Sequence, residues 1–366
     1  MINNDLLYQI ALTLVPNIGD VRAKALLEHF ENAEAIFKAK KNQLENIEGI
    51  GTIAANAIKH FADFKICEDE IKFIEKSKVT PLFITAKNYP QRLLNCYDSP
   101  TMLYYKGNAD LNVAKIVSIV GTRSNSDYGK NICEKMLQDL AEQNVLIMSG
   151  LAFGIDTIAH KAALKNNLKT VGVMAHGLDK VYPAQNKLLA VEMLTQGGLL
   201  TDFMSGTNPD RQNFPRRNRI VAGISDALIV IESSAKGGSL ITAELANNYN
   251  KDVFAIPGRI TDSRSEGCNY LIKNNKALLI TSADDLLHIM NWKDGPKKIK
   301  QQRELFIELT PDEKLITDIL KEKESIQIDE LNFKSCLSSS AVANALLMLE
   351  MQGVIASLPG KLYKLL

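Results

Sequence analysis

Short apolar runs alternate with amphipathic stretches through the middle of the chain. Each run holds four to six mostly apolar residues, and most runs are separated by ten to twenty residues with helical periodicity. Continuous apolar runs are typical of strands that a parallel sheet buries on both faces. The alternation therefore predicts a doubly wound, Rossmann-like α/β domain over residues 81–290, with an N-terminal extension of turns and short strands. The predicted strands are residues 116–120, 145–148, 170–174, 198–203, 227–231 and 253–256.

The first 80 residues contain an internal repeat. Residues 16–19 and 48–51 each end in a glycine and are followed by apolar residues at helical spacing. Each copy predicts a tight turn that leads into a short amphipathic helix, because glycine tolerates positive φ. The pair resembles a tandem helix-hairpin-helix module, in which turn amides contact nucleic-acid phosphates. A compact helical packing unit explains the pattern equally well. Residues 1–80 are therefore expected to form a helical, helix-hairpin-helix or SAM-like domain.

The pattern changes again after residue 290. Residues 291–308 are polar and lose periodicity, which indicates a linker. Residues 309–366 contain three helical stretches followed by two short strands, which is the element order of a winged helix. The third stretch, residues 338–351, has no lysine or arginine but contains Glu350. Since a helix without cations binds duplex DNA poorly, this unit is predicted to have a protein-contacting or regulatory role rather than to read a duplex.

Composition narrows the class of protein. At 366 residues the chain exceeds the usual size of one domain, and 46% apolar residues are ordinary for a globular protein. The five cysteines are scattered, without a CxxC pair or a nearby histidine, so neither a zinc site nor a disulfide framework is expected. No apolar run reaches the ~20 residues that cross a bilayer, and no basic segment marks a signal peptide. The expectation is a cytoplasmic protein without membrane contact.

Arginines cluster around residues 211–219 in a chain whose net charge is only +1. Pro215 is suited to the first turn of a helix, so Arg216, Arg217 and Arg219 would occupy its N-terminal half. Positive charges there oppose the helix dipole and repel one another, and a bound anion would relieve both effects. Their forked donors match phosphate geometry. The segment therefore predicts a phosphate-binding site.

Three glycine- and serine-rich turns follow predicted strands. They are residues 121–123, 149–154 and 236–239. Such turns present backbone amides and hydroxyls to an anion, and ligands of doubly wound sheets bind at the carboxyl ends of the strands. Asp156 is expected in a helix N-terminus, with His160 as a structural partner. Neither a Walker P-loop nor a GxGxxG fingerprint is present, so a dinucleotide cofactor is disfavoured. No nucleophile or metal ligands complete a catalytic site, so no cofactor, metal or catalytic residue is predicted.

Taken together, residues 120–123, 149–156 and 214–220 resemble the DprA/Smf DNA-processing family, and residues 238–243 and 253–258 also fit it. The resemblance implies a non-enzymatic protein of natural transformation that binds and protects single-stranded DNA. It further implies help in loading the strand-exchange recombinase, and a homodimer through the Rossmann-like domain.

The same resemblance suggests roles for individual residues. Arg123, Ser239 and the arginines after Phe214 would hold phosphates, while Phe214 or Phe153 would meet bases. The complete predicted DNA-binding set is Gly121, Thr122, Arg123, Ser149, Gly150, Phe153, Gly154, Phe214, Arg216, Arg217, Asn218, Arg219, Lys236, Gly238 and Ser239.

An alternative function comes from residues 237–244. They resemble the segment of the lysine-decarboxylase-like nucleotide 5'-monophosphate phosphoribohydrolases in which a glutamate acts with an arginine of a preceding helix. Glu244 and Arg217 would take those parts here. Ser239 and Leu240 replace the family's Gly-Thr pair, which weakens the expected monophosphate cradle.

Overall fold

The computed structural model describes residues 4–292, 309–321, 323, 325–358 and 360–365. The chain forms two compact units, Met1–Lys293 and Asp294–Leu366. The predicted linker lies outside the described residues, apart from residues 291 and 292.

Six helices come first in the described part of the first unit. The glycine turns of the repeat lead into the second and fifth helices, where Gly19 and Gly51 are the N-terminal caps. The repeat thus forms the predicted helical hairpins, but the capping glycines have negative φ, and the positive φ of the two turns lies at Asn17 and Gly49. The helices are Asn4–Leu14 (α1), Asp20–His29 (α2), Ala33–Lys38 (α3), Lys41–Glu45 (α4), Thr52–Lys59 (α5) and Phe64–Ser77 (α6).

A mainly parallel sheet of nine strands follows, and all six predicted strands belong to it. The strand order is β1-β2-β6-β5-β4-β3-β7-β8-β9, in which β1 and β2 form an antiparallel extension beyond β6. The strands are Thr80–Phe83 (β1), Met102–Gly107 (β2), Ile116–Val120 (β3), Leu146–Ser149 (β4), Thr170–Val173 (β5), Gly197–Thr201 (β6), Ala227–Val230 (β7), Asp252–Ala255 (β8) and Leu278–Leu279 (β9).

Helices cover both faces of this sheet. Val117 and Ile119 of β3 belong to one core, whereas Ile116 and Val120 belong to another, because alternate side chains point to opposite faces. The chain builds β3 to β6 in one direction and then returns to β7 beside β3, so the switch point lies between β3 and β7. The helices are Gln91–Leu94 (α7), Asp127–Asp139 (α8), Ile155–Lys165 (α9), Lys187–Gln196 (α10), Asn213–Gly223 (α11), Gly238–Asn248 (α12), Glu266–Lys273 (α13) and Ala283–Ile289 (α14).

The N-terminal helices and the sheet share one hydrophobic core. Polar contacts add to it: Asp20 of α2 forms a 2.9 Å ion pair with Arg219 of α11. The buried carboxylate of Glu70 accepts hydrogen bonds from the backbone N–H and the hydroxyl of Ser205. The helical region is therefore docked on the α/β region, and an independent domain ending at residue 80 stays a prediction.

His160 of α9 is fully buried, but its partner differs from the predicted Asp156. Its Nδ1 lies 2.7 Å from Oγ1 of Thr170. That hydroxyl donates its proton to the carbonyl of Ile147, so it accepts one from Nδ1–H of the histidine. Burial lowers the pKa of His160 to about 3. The histidine is therefore a neutral core residue.

We expect this buried histidine to make the first unit acid-sensitive. Its folded pKa of about 3 lies below the ordinary 6.5, so its contribution to stability is complete above pH 6.5 and is lost as pH falls toward 3. His160→Gln should reduce the slope of unfolding free energy against pH by about 1.4 kcal/mol per unit in that window. Urea unfolding followed by Trp292, the single tryptophan, measures this. His29→Gln, at an exposed histidine, is the control, and an equal slope in both variants would contradict the prediction.

The second unit is the predicted winged helix with its own core. Its sheet has the order β10-β12-β11, and the short strand β10 was not predicted. Its elements are Pro311–Leu320 (α15), Ile326–Gln327 (β10), Ile328–Ser335 (α16), Ser339–Met351 (α17), Ile355–Leu358 (β11) and Leu362–Leu365 (β12).

Candidate nucleic-acid interface

A cavity of about 410 Å³ opens at the switch point between β3 and β7. This is where doubly wound sheets bind ligands, because the loops diverge there to opposite faces. Loops after β3, β4 and β7 line this central cavity, together with the starts of α11 and α12. Its lining residues are Val120, Gly121, Thr122, Arg123, Ala152, Asp156, Phe214, Pro215, Arg217, Asn218, Ser233, Ser234, Gly237, Gly238, Ser239, Ile241 and Thr242.

Two glycines bring the loop after β3 against the start of α9. A Cβ on Gly121 would lie 2.6 Å from Cγ1 of Ile155. Gly154 has φ of +76°, and a Cβ there would collide with the carbonyl of Thr122. A side chain at either position would push this loop away from α9. Gly154 does not line the central cavity itself. It allows the loop after β3, which does line the cavity, to pack against α9.

The N-terminus of α12 contributes a second wall. Gly237 caps the helix and lines the cavity together with Gly238 and Ser239. The buried hydroxyl of Ser239 donates a 2.8 Å hydrogen bond to Oγ of Ser233. An eleven-residue helix carries partial positive charge at this end, which favours an anion. Lys236 is exposed just before the helix and lies outside the cavity lining.

Arg217 lines the central cavity but is only 4% exposed. Its guanidinium donates to the carbonyls of Gly150, at 2.5 Å, and Val173. A Cβ on Gly150 would meet the guanidinium, so a side chain at that position would displace it from its carbonyl partners. Burial lowers the pKa of Arg217 to about 10, while the nearby Asp156 acts in the opposite direction. Burial likewise raises the pKa of Asp156, and Arg217 partly offsets it. Arg217 and Asp156 are therefore two buried charged residues in the lining of the central cavity.

Arg123 is the exposed cation of the site. Its guanidinium lies 5.4 Å from the ring centroid of Phe214. Beside it, a narrow aromatic cleft is lined by Arg123, Gly150, Phe153, Phe214, Tyr182 and others. The Phe153 side chain is 43% exposed, unlike a core phenylalanine. Arg123 therefore connects the central cavity to the aromatic cleft, and it is free to contact a ligand.

Arg216 and Arg219 lie elsewhere, although they share α11 with Arg217. Arg219 forms ion pairs of 2.9 Å with Asp20 and 2.8 Å with Asp202. Arg216 pairs with the same Asp202 at 3.1 Å and lies over the ring of Phe203. Helical rotation of ~100° per residue places both on faces away from the central cavity. Arg219 contributes to docking of the helical region through Asp20, and DNA contact by either arginine stays a prediction.

The structure thus places only some of the predicted DNA-binding residues in the lining of the central cavity. Ser149 is fully buried and donates to the carbonyl of Ile119, so it takes no part in the lining. Sequence reasoning missed Ser233 and Ser234, although both lie within four residues of the end of β7 and the carboxyl-end rule indicates them. Eight predicted residues line the central cavity: Gly121, Thr122, Arg123, Phe214, Arg217, Asn218, Gly238 and Ser239.

Glu244 and Arg217, the pair that the hydrolase alternative requires, are not brought together at the cavity. Glu244 is absent from the lining of the central cavity, and its carboxylate lies 3.0 Å from Nζ of Lys276. Across the described residues, no group of three or more histidine, cysteine or acidic side chains could hold a metal ion. Within the same residues, no helix combines the length and apolar character needed to cross a membrane.

Comparisons with known proteins now identify the class. The family model of DNA recombination-mediator protein A matches residues 80–291. A helix-hairpin-helix motif matches residues 9–67, and a DprA winged helix domain matches residues 305–361. These matches define the class as DNA recombination mediators. The chain belongs to the DprA/Smf family.

Individual relatives agree with this assignment. The protein Smf of Synechocystis is 32% identical over the full length of both chains. DNA processing protein DprA of Streptococcus pneumoniae is 38% identical over 69% of this chain and 96% of its own. Its X-ray structure superposes with a TM-score of 0.67, covering 77% of this chain and 97% of that one. DNA processing protein A of Helicobacter pylori, whose structure is described for its single-stranded DNA binding mode, has a TM-score of 0.53. It is 29% identical and covers 58% of this chain and 96% of its own.

Proposed function

We propose that this protein binds single-stranded DNA along the carboxyl edge of its sheet, with a phosphate in the central cavity. The observation that carries the proposal is the convergence of the α12 N-terminus, the loop after β3 and Arg123 on one cavity. Such a set recognises the backbone whatever the base sequence. The single-stranded DNA binding described for the Helicobacter relative supports it.

The neighbouring aromatic cleft favours a polymer over a free phosphate. Phe153, Tyr182 and Phe214 lie next to Arg123, and bases stack on such rings in proteins that bind single strands. The protein is proposed to act by binding, without catalysis or cofactor, in the cytoplasm. Bound strands are protected there and passed to the strand-exchange recombinase.

The test is binding of a labelled oligo-dT across a salt series. Affinity should fall linearly on a logarithmic scale, with a slope of about −0.7 for each phosphate contacted. The same preparation is incubated with nucleoside 5'-monophosphates to detect free base. Salt-insensitive or absent binding would sink the proposal, and release of base would revive the hydrolase alternative.

The dimer predicted for the Rossmann-like domain is proposed to use the β9 edge. Leu278 and Leu279 are about half exposed there, and Tyr270 and Ile289 add exposed apolar area nearby. An edge strand with exposed apolar side chains is a template for pairing with another chain. Sheet-to-sheet pairing across this edge would hold two copies together.

Leu279→Lys is expected to convert the dimer to a monomer at micromolar concentration, because a charge would be buried at the pairing edge. Sedimentation velocity measures this. Leu188→Lys, on the exposed face of α10, is the matched control and should leave the dimer intact. A dimer that persists in Leu279→Lys would move the interface elsewhere.

The winged-helix unit is proposed to contact a protein partner. Helix α17 exposes Leu347, Met348 and Met351, and Phe333 of α16 is 85% exposed. Exposed apolar residues on a helix without cations suit a protein surface better than a phosphate backbone. Steep salt-dependent binding of duplex DNA by residues 309–366 would contradict this.

A further inference from the structure

Three cavities lie along the carboxyl edge of the sheet. The aromatic cleft lies after β5 and β4, and the central cavity after β4, β3 and β7. A third cavity, of about 720 Å³, lies beyond β3 and β8. Since the strand order here is β5-β4-β3-β7-β8, the cavities follow one another in a line. The third is lined by Ser126, Asp127, Tyr128, Pro257, Gly258, Arg259, Asp262 and Ser265 and is called the Tyr128 cavity below.

The loop after β3 forms a wall between the two cavities, since Thr122 lines the central cavity and Ser126 lines the Tyr128 cavity. The buried Glu232 accepts hydrogen bonds from the backbone N–H and the hydroxyl of Ser126, while its own carbonyl accepts from the N–H of Thr122. Nε of Arg264 donates to the carbonyl of Ser124 at 3.0 Å, which ties the loop after β8 to the same wall. The two cavities are therefore fixed neighbours.

The row of cavities has the length of a short oligonucleotide. Adjacent strands lie about 4.8 Å apart, so the four intervals from β5 to β8 span roughly 19 Å. A stacked strand advances about 3.4 Å per nucleotide. Roughly five or six nucleotides would therefore reach from the aromatic cleft to the Tyr128 cavity.

The Tyr128 cavity has the chemistry of a base compartment. The Tyr128 hydroxyl donates a 2.8 Å hydrogen bond to the carbonyl of Pro257, which orients the ring, yet the residue remains 47% exposed. Asp127 and Asp262 outnumber Arg259, the single cation in the lining of this cavity, so the space disfavours a phosphate. Their carboxylates can accept hydrogen bonds from the exocyclic amino groups of cytosine, adenine or guanine, which thymine lacks.

We propose that the Tyr128 cavity is a second nucleobase compartment for the same strand of DNA, with the base stacked on Tyr128. The compartment favours bases with an exocyclic amino group over thymine. This inference rests on the proposed function, because the strand must first occupy the central cavity. It adds a site and a base preference to that function.

A length series tests the compartment. Oligo-dC of three to twelve nucleotides is titrated against the wild type, Tyr128→Ala and Tyr128→Phe. Trinucleotides, which fill only the central cavity, should bind all three alike. For oligonucleotides of about six residues or more, Tyr128→Ala should bind at least about fivefold more weakly than the wild type, which is the lower end for the loss of one stacked base. Tyr128→Phe should keep the wild-type affinity. Tyr97→Ala removes an exposed tyrosine outside the three cavities and should change nothing.

Base preference gives the second readout. Wild type should bind oligo-dC more tightly than oligo-dT of equal length, and Asp262→Asn should narrow that ratio. The backbone N–H of Arg264 donates a 3.0 Å hydrogen bond to Oδ1 of Asp262. Asparagine keeps an oxygen acceptor at this position, so the loop should keep its shape. This inference alone is overturned if Tyr128→Ala binds every length as tightly as the wild type. It is also overturned if the variant loses as much affinity for trinucleotides as for longer strands. Absence of binding by wild type overturns the proposed function and the compartment together.

Discussion

Arg217→Ala is expected to lower the free energy of unfolding of the first unit by about 3 kcal/mol, because its buried guanidinium makes two hydrogen bonds and each from a charged donor contributes about 1.5 kcal/mol. The guanidinium donates to the carbonyls of Gly150 and Val173, and its charge offsets that of the buried Asp156. Alanine leaves the two carbonyls without this donor and removes the charge that offsets the carboxylate. Urea unfolding at pH 7 followed by Trp292 fluorescence measures the change.

Two variants separate this effect from loss of a surface cation. Arg216→Ala removes an arginine of the same helix that is half exposed, and it should change stability by less than about 1 kcal/mol. Asp156→Asn placed on Arg217→Ala should recover part of the loss, because the carboxylate no longer needs a partner. A destabilisation equal to that of Arg216→Ala would show that the buried pair contributes little.

Arg123→Ala should reduce affinity for single-stranded DNA about tenfold, which corresponds to a ~1.5 kcal/mol hydrogen bond to a charged group. The side chain is exposed, lies against Phe214 and reaches both the central cavity and the aromatic cleft. The slope of log affinity against log salt should become shallower by about 0.7, as expected for one lost phosphate contact. Fluorescence anisotropy across a salt series provides both numbers.

The matched control is again Arg216→Ala, because it removes the same charge outside the central cavity. Its slope should equal that of the wild type. Arg219→Ala should weaken binding only through the docking of α11 on Asp20 and Asp202, so its slope should also be unchanged. A shallower slope in either variant would extend the DNA path to the far side of α11.

Buried strands were predictable because they leave an unmistakable pattern. Strand β3 forms over the predicted residues 116–120, and the other five predicted strands shift by at most two residues at either end. The short strands β9 and β10 were missed, because two residues are too few to show a period. Leu278 and Leu279 of β9 are also half exposed, so no burial on both faces marks them.

The segments that meet at the site could be predicted from the sequence, since glycine-rich turns that follow parallel strands must gather at one edge of a sheet. The arginines that face the central cavity could not, because they depend on how α11 packs. Helical spacing sets the angles between Arg216, Arg217 and Arg219, but the rotation of α11 as a whole depends on its packing. Ile220, Val221 and Ala222 of that helix are buried in the core, and this turns Arg217 inward and Arg219 toward Asp20. That packing involves residues far apart in the chain, so no local pattern could reveal it.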